Sequence, residues 1–548
     1  MSLTTFVRAS VLLTLLTVII QVVWALTMPA FRGPDEPHHV NSIMRLASGG
    51  GWPEPGGAMI DPVISEAGRQ AGLIQSHEVP FTGEYRTRLL HGSSFGGPFA
   101  DTPVTPHRLR DTVYPVEAHH PSSIEVDQMT QHPPLYYAGG ALVVKAFGLE
   151  DAPWDRLVHV LRVYGIALTI PLVPATIYTA RRLGANRHWS LAAGLIPLAI
   201  PQVFGITAVV TNDTLAIGAG ALVVAALAKA GTERISPKTV ALVGGSLGFA
   251  LWSKGLLLAF GLPLILVFLL ADGERWRTRL IAALVSGSMA LLIGWWWLLN
   301  IVRYGVLQPA GYSRPVPADW DPATAEVSHF VTIAFRTFTK SFFSSYGWLE
   351  ADFPTWLTWI LLGLLLGGTA LSIAVAGRSR KVVLILLSPF AGLIVLLYVQ
   401  GWFNYVATSV VAGVQGRYLY PTLAAFGCLV LGIAIWGRWG YRLFALLTVG
   451  VGAFGYAWLL RNAYPGQRWF DIDRFAHVAG VPAPIVVIIL TLYLLVNVTI
   501  LVVILRKASD PDVLAGPQSG IARRRWQGPP PGSAADHTHV PAGEEARQ

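Results

Sequence analysis

The chain has little cysteine and little charge. Cys428 is its one cysteine in 548 residues, and it sits inside an apolar run, so an intramolecular disulfide is excluded. Only 13% of residues are charged, against about a quarter in an ordinary soluble domain. No internal repeat is visible, which argues against the two matching halves common in transporters. A formal charge of +9 does not indicate a nucleic-acid partner. About half of the lysines and arginines fall in short loops and tail segments between apolar runs, as the positive-inside rule requires of cytoplasmic segments.

Apolar runs are what the sequence has in abundance. Hydrophobic residues make up 53% of the chain, and runs of membrane-spanning length recur along most of it. The reading is an all-α polytopic membrane protein with about twelve transmembrane helices. Residues 9–26 form a retained first span rather than a secretory signal, because the run is long and more apolar chain follows it. A polar outer loop, 32–156, comes next. It holds an apolar segment at 133–148 that is too short to span and reads as a juxtamembrane helix. Counting that segment as a span would place Arg181, Arg182 and Arg187 outside. Further spans are expected at 157–180 and 189–209, two within 240–271, and one at 280–300. A second outer loop, 301–353, contains an amphipathic segment, 329–343. The membrane domain is expected to cover 1–507, with both termini cytoplasmic and a disordered tail at 508–548.

This topology puts the unusual polar clusters on one face. Asp35 and Glu36 end the first span, on a turn that Pro37 prepares to become a helix. They are the candidate catalytic carboxylates. Such groups at a helix start can also merely complement its dipole. His38 and His39 follow; adjacent helical residues point in different directions, which weakens them as a metal pair. His132 precedes two prolines that leave it extended at a helix start, where it can donate to an anionic oxygen. Arg162, Lys254, Arg303 and Arg417 supply cations, and Asn212, Asp213 and Gln415 supply polar partners. Snorkelling alone would explain a single one of these cations. Several on one face suit the phosphate or diphosphate of a lipid.

The motif residues resemble a known superfamily. Pro34-Asp35-Glu36-Pro37-His38-His39 ends the first span, and His132-Pro133-Pro134-Leu135-Tyr136-Tyr137 opens the juxtamembrane helix. With them stand Thr211-Asn212-Asp213, Trp295-Trp296-Trp297, Ser345-Tyr346-Gly347-Trp348 and Gln415-Gly416-Arg417-Tyr418-Leu419-Tyr420-Pro421. The pattern is similar to GT-C polytopic glycosyltransferases, which include protein O-mannosyltransferases and lipid A aminoarabinose transferases. It is most similar to a bacterial membrane family in that superfamily, and the likeness covers 10–505.

The resemblance implies a GT-C-like fold and a polyprenyl-phosphate sugar donor. It implies a glycan, lipid or protein acceptor, and a site on the outer face of the bacterial cytoplasmic membrane. Asp35 would be the general base, Lys254 and Arg417 would hold the departing lipid phosphate, and single displacement would invert the anomeric carbon. The chain departs from the superfamily in lacking a matched second acidic cluster of the metal-binding kind, and no soluble C-terminal domain is expected. No cofactor is assigned. A divalent cation on Asp35, Glu36 and His38 belongs to an alternative reading, an outward-facing hydrolase. A transporter or flippase of lipid-linked glycans is the other alternative.

Overall fold

The computed structural model describes residues 1–72, 104–112, 126–311, 316–467, 469–508, 510 and 513. Among these residues helices dominate, and the strand is two residues, Ala351–Asp352. The protein is an all-α polytopic membrane protein. Eight helical stretches are long and apolar enough to cross a membrane: Leu3–Thr27, Trp154–Arg182, Asp213–Thr232, Trp276–Ile293, Thr355–Val375, Gly377–Thr408, Gly416–Ala463 and Ala483–Leu505. In a bilayer every backbone polar group must be paired within the chain, so spans of this kind are wound as helices.

The stretch Gly416–Ala463 is two passages. Arg417 at its start pairs with Asp35. Just past its end, Tyr464 Oη donates to the Thr27 carbonyl in the same region. The chain therefore reverses between them, at Gly437, whose φ of 52° and ψ of −136° suit a residue without Cβ. Three shorter passages complete the bundle. Residues 187–209 cross as broken pieces, Pro237–Ala250 follows, and Gly255–Leu269 returns. The described residues thus traverse the bundle about twelve times, as the apolar runs predict.

Helix Asp213–Thr232 runs through the middle of the bundle, and most of its residues are buried. Its small side chains let other backbones approach closely: a Cβ on Gly218 would collide with the Leu168 carbonyl. Gln21, buried within the first helix, donates to Thr169 Oγ1 at 2.9 Å and Thr207 Oγ1 at 3.2 Å. Its polar end is thereby satisfied inside the apolar bundle.

The two ends of the bundle differ in chemistry. At one end, the basic loops stitch neighbouring passages together. Arg182 pairs with Glu233 at 2.9 Å, and Lys381 Nζ donates to the Leu270 carbonyl at 2.6 Å. The start of the C-terminal tail, expected to be disordered, packs here. Ala508 and Val513 are buried, and Asp510 lies 3.1 Å from His188. The rest of the tail, from 514, lies outside the described residues, as do 73–103 and 113–125 of the first outer loop.

At the other end, Glu36–Ala47 and Leu135–Ala146 pack against each other, with Gly140 facing Ile43. Leu135–Ala146 is 12 residues long, about 18 Å, and does not span, as its length in the sequence predicts. The amphipathic segment of the second outer loop forms helix Val327–Phe343, which buries Phe330, Phe342 and Phe343.

Candidate active site

The first helix stops at Thr27, and the chain then turns sharply into Glu36–Ala47. Two non-glycine residues of this turn, Phe31 and Asp35, hold φ of 60°. Asp tolerates the left-handed region better than most residues, but the conformation persists only where surroundings impose it. Trp348 imposes part of it by donating Nε1–H to the Phe31 carbonyl at 3.1 Å. Arg162 imposes the rest: its guanidinium donates to the carbonyls of Ala25, Met28 and Pro29 at 2.9, 2.6 and 3.0 Å.

The left-handed turn separates the two carboxylates. Glu36 points inward and is fully buried, whereas the Asp35 side chain stays 29% exposed. Arg162 Nε and Nη2 each donate to Glu36 at 2.9 Å, a bidentate pair. Glu36 Oε1 also accepts the Val210 N–H at 2.8 Å. These bonds correct two expectations. Glu36, expected as a second catalytic carboxylate, and Arg162, expected to bind phosphate, spend their hydrogen-bonding capacity on each other and on the backbone. They pin the end of the first span to helix Trp154–Thr169 and to the chain before Asp213.

Asp35 Oδ1 accepts from Gln128 Nε2 at 3.2 Å, and its Oδ2 lies 3.5 Å from Arg417 Nη2. Arg417 Nε lies 4.0 Å from Asp213 Oδ2, and Lys254 Nζ is bonded to Asp213 Oδ1. Asp213 thus sits between two cations that would otherwise repel one another. Both cations also lie over the Tyr418 ring, with Lys254 Nζ at 5.3 Å and Arg417 Cζ at 5.2 Å from its centroid. Arg417 Nε and Asp213 Oδ2 are buried without a hydrogen-bond partner. A buried guanidinium donor left open calls for a ligand or water.

The local folding explains how the cations arrive. Lys254 is an extended residue at the tight hairpin between Pro237–Ala250 and Gly255–Phe260. Arg417 lies in the first turn of the 3-10 stretch Gly416–Cys428. Asn212 immediately precedes Asp213–Thr232 and donates Nδ2–H to the Ser253 carbonyl at 3.5 Å, tying the Asp213 and Lys254 loops together. Gln415 precedes the Arg417 turn with its Oε1 buried and unpartnered.

His38 and His39 are buried on the first turn of Glu36–Ala47. His39 Nδ1 is 3.1 Å from the Tyr137 hydroxyl, and its ring stacks on that of Tyr137. Burial, aided by the charge of Lys254, pushes the His39 imidazole well below its usual range. Burial and Lys254 likewise bring half-buried His132 down to about 3, and the Asp213 carboxylate opposes them. Both rings are therefore neutral at physiological pH.

This has a measurable consequence for His132. Below pH 6.5 the unfolded chain takes up a proton that the folded ring refuses until about pH 3. The stability present above pH 6.5 therefore falls as pH drops through that window. Melting curves in detergent at pH 7.5 and 5 should show the wild type losing about 1–2 kcal/mol more than His132→Asn.

The turn and hairpins thus gather Asp35, His38, His39, His132, Asp213, Lys254 and Arg417, with Asn212 and Gln415 behind them. Arg303 is placed elsewhere. It is exposed and lines a neighbouring cleft with Gln131 and Trp296. Sequence reasoning missed Gln128, which opens the short 3-10 helix Gln128–Gln131 and belongs to no motif, and it gave no role to Tyr137 and Tyr418, whose roles depend on what their rings meet. It also missed the buried pair of Arg32 with Glu350, 3.3 Å apart, which fastens the second outer loop behind the turn.

The metal reading does not fit these residues. Among the described residues no three His, Cys, Asp or Glu side chains gather in a metal-holding group. The Glu36 carboxylate is filled by Arg162, and His39 is engaged by Tyr137.

Among solved structures, the chain is similar to ArnT from Cupriavidus metallidurans bound to undecaprenyl phosphate. The identity is 16% and the TM-score 0.43, over 94% of this chain and 76% of that one. It is also similar to the archaeal oligosaccharyltransferase AglB from Archaeoglobus fulgidus, in complex with an inhibitory peptide and a dolichol-phosphate. There the identity is 12% and the TM-score 0.35, over 68% of this chain and 48% of that one. No curated protein matches the chain. The family model described as "Predicted membrane protein (DUF2142)" matches residues 18–425, from the first helix through the Arg417 turn, and the chain belongs to that family.

Proposed function

We propose that this protein is a membrane glycosyltransferase of the GT-C type. It moves a sugar from a polyprenyl-phosphate donor to a hydroxyl of an envelope glycan, lipid or protein. The observation that carries this reading is the open, buried Arg417 guanidinium between Asp213 and the partly exposed Asp35, with Lys254 alongside.

In the reaction, Asp35 takes the proton from the acceptor hydroxyl as its oxygen forms a bond to the anomeric carbon. The bond from that carbon to the phosphate oxygen breaks, and its electron pair leaves on the lipid phosphate. Lys254 and Arg417 stabilise the charge that grows there. One displacement inverts the anomeric carbon. The basic loops lie at the opposite end of the bundle, which supports reading this site as facing outward from a bacterial cytoplasmic membrane.

Lys254→Met tests the phosphate assignment. Binding of undecaprenyl phosphate to the purified protein, read by microscale thermophoresis, should weaken about 10- to 100-fold, the value of one charge-assisted contact. Binding of undecaprenol, the same lipid without its phosphate, should not change. Equal affinity of variant and wild type for undecaprenyl phosphate would remove Lys254 from the donor site.

A further inference from the structure

Beside the site lies a cleft of about 290 Å³, at the small end of the range for ligand pockets. Its walls include Trp52, Glu54, Gln131, Trp296, Asn300 and Arg303. Two features set it apart from an ordinary surface groove. The indole N–H groups of Trp52 and Trp296 are both buried and lack a hydrogen-bond partner. An indole N–H normally finds an acceptor when it leaves water. The cleft also carries one cation and one carboxylate, Arg303 and Glu54, so it offers an anion no net charge.

The cleft is joined to the site from two sides. The Trp52 ring packs on Tyr137 at 4.8 Å, and Tyr137 in turn stacks on His39. Trp296 packs near Trp252 at 6.1 Å, two residues before Lys254. Gln131, in the wall, is followed directly by His132.

We infer that this cleft is a carbohydrate subsite that receives one sugar unit of the acceptor. A sugar ring has an apolar C–H face and a rim of hydroxyls. The Trp rings in the wall match the first, and the unpaired indole donors, Glu54 and Arg303 match the second. A phosphate would prefer the unbalanced cations of the neighbouring cluster, and an alkyl chain would leave both indole N–H groups unpaired. Arg303 thereby moves from the donor phosphate to the acceptor. Naming the sugar as acceptor rests on the transferase reading; binding of the sugar does not.

The test is saturation-transfer-difference NMR on the full-length protein in lipid nanodiscs. The probes are the methyl glycosides of glucose, galactose, mannose and arabinose, with inorganic phosphate as competitor. Ring C–H protons of at least one glycoside should be saturated by the wild type and equally by Asp35→Asn, whatever becomes of transfer. Phosphate should not compete. Trp296→Phe and Trp52→Phe keep a ring and remove the N–H, and each should weaken binding about three- to tenfold. Glu54→Gln, an exposed change that leaves packing intact, should weaken it as well. The inference is overturned if no glycoside is saturated, if these variants bind like the wild type, or if phosphate displaces the signal. Loss of transfer in Asp35→Asn with glycoside binding intact, or the reverse, separates the two readings.

Discussion

Arg162→Met is expected to destroy the fold of the site rather than slow its chemistry. Arg162 is fully buried and makes five hydrogen bonds, two to Glu36 and three to carbonyls at the end of the first helix. Removing it strands a buried carboxylate and three acceptors at once. Breaking one side of a buried ion pair costs about 3–5 kcal/mol. The variant should therefore be recovered in low yield and melt well below the wild type in fluorescence-detected size-exclusion measurements. Glu36→Leu combined with Arg162→Met should recover part of the loss, because no charge is then left unpaired. It should not recover all of it, since the Val210 N–H still loses its acceptor. A variant that melts like the wild type but binds donor lipid poorly would return Arg162 to the substrate.

The same residue marks the limit of what the sequence makes legible. Run lengths and loop charges are local properties, and they sufficed for the number of passages and for the face on which the polar clusters gather. The turn carrying Asp35 was legible too, because Pro37 and the end of the apolar run mark it. The division of labour between Asp35 and Glu36 was not. It depends on the left-handed backbone at Asp35 and on a partner 126 residues away. The clustering of Lys254 with Arg417 could be expected from their shared face. That Asp213 and Tyr418 bind them together required the folded hairpins. Arg303 shares that face but not that place, a distinction that topology alone does not make.

The second large effect concerns Asp35. Asparagine has nearly the same shape and also tolerates a left-handed backbone, so Asp35→Asn should keep the turn and its contact with Gln128. It cannot accept a proton. Loss of a positioned general base slows reactions about 10²- to 10⁴-fold. In the proposed reaction Lys254 and Arg417 hold the donor phosphate, so affinity for undecaprenyl phosphate should change little. A structural role for Asp35 would instead lower the melting temperature along with the rate.

The most direct measurement is transfer of radiolabelled sugar from polyprenyl phosphate to envelope acceptors, in membrane vesicles carrying wild-type or Asp35→Asn protein at matched, folded levels. The account predicts transfer by the wild type, a fall of about 10²-fold or more in the variant, and equal binding of undecaprenyl phosphate by both. Transfer by Asp35→Asn at the wild-type rate would contradict it.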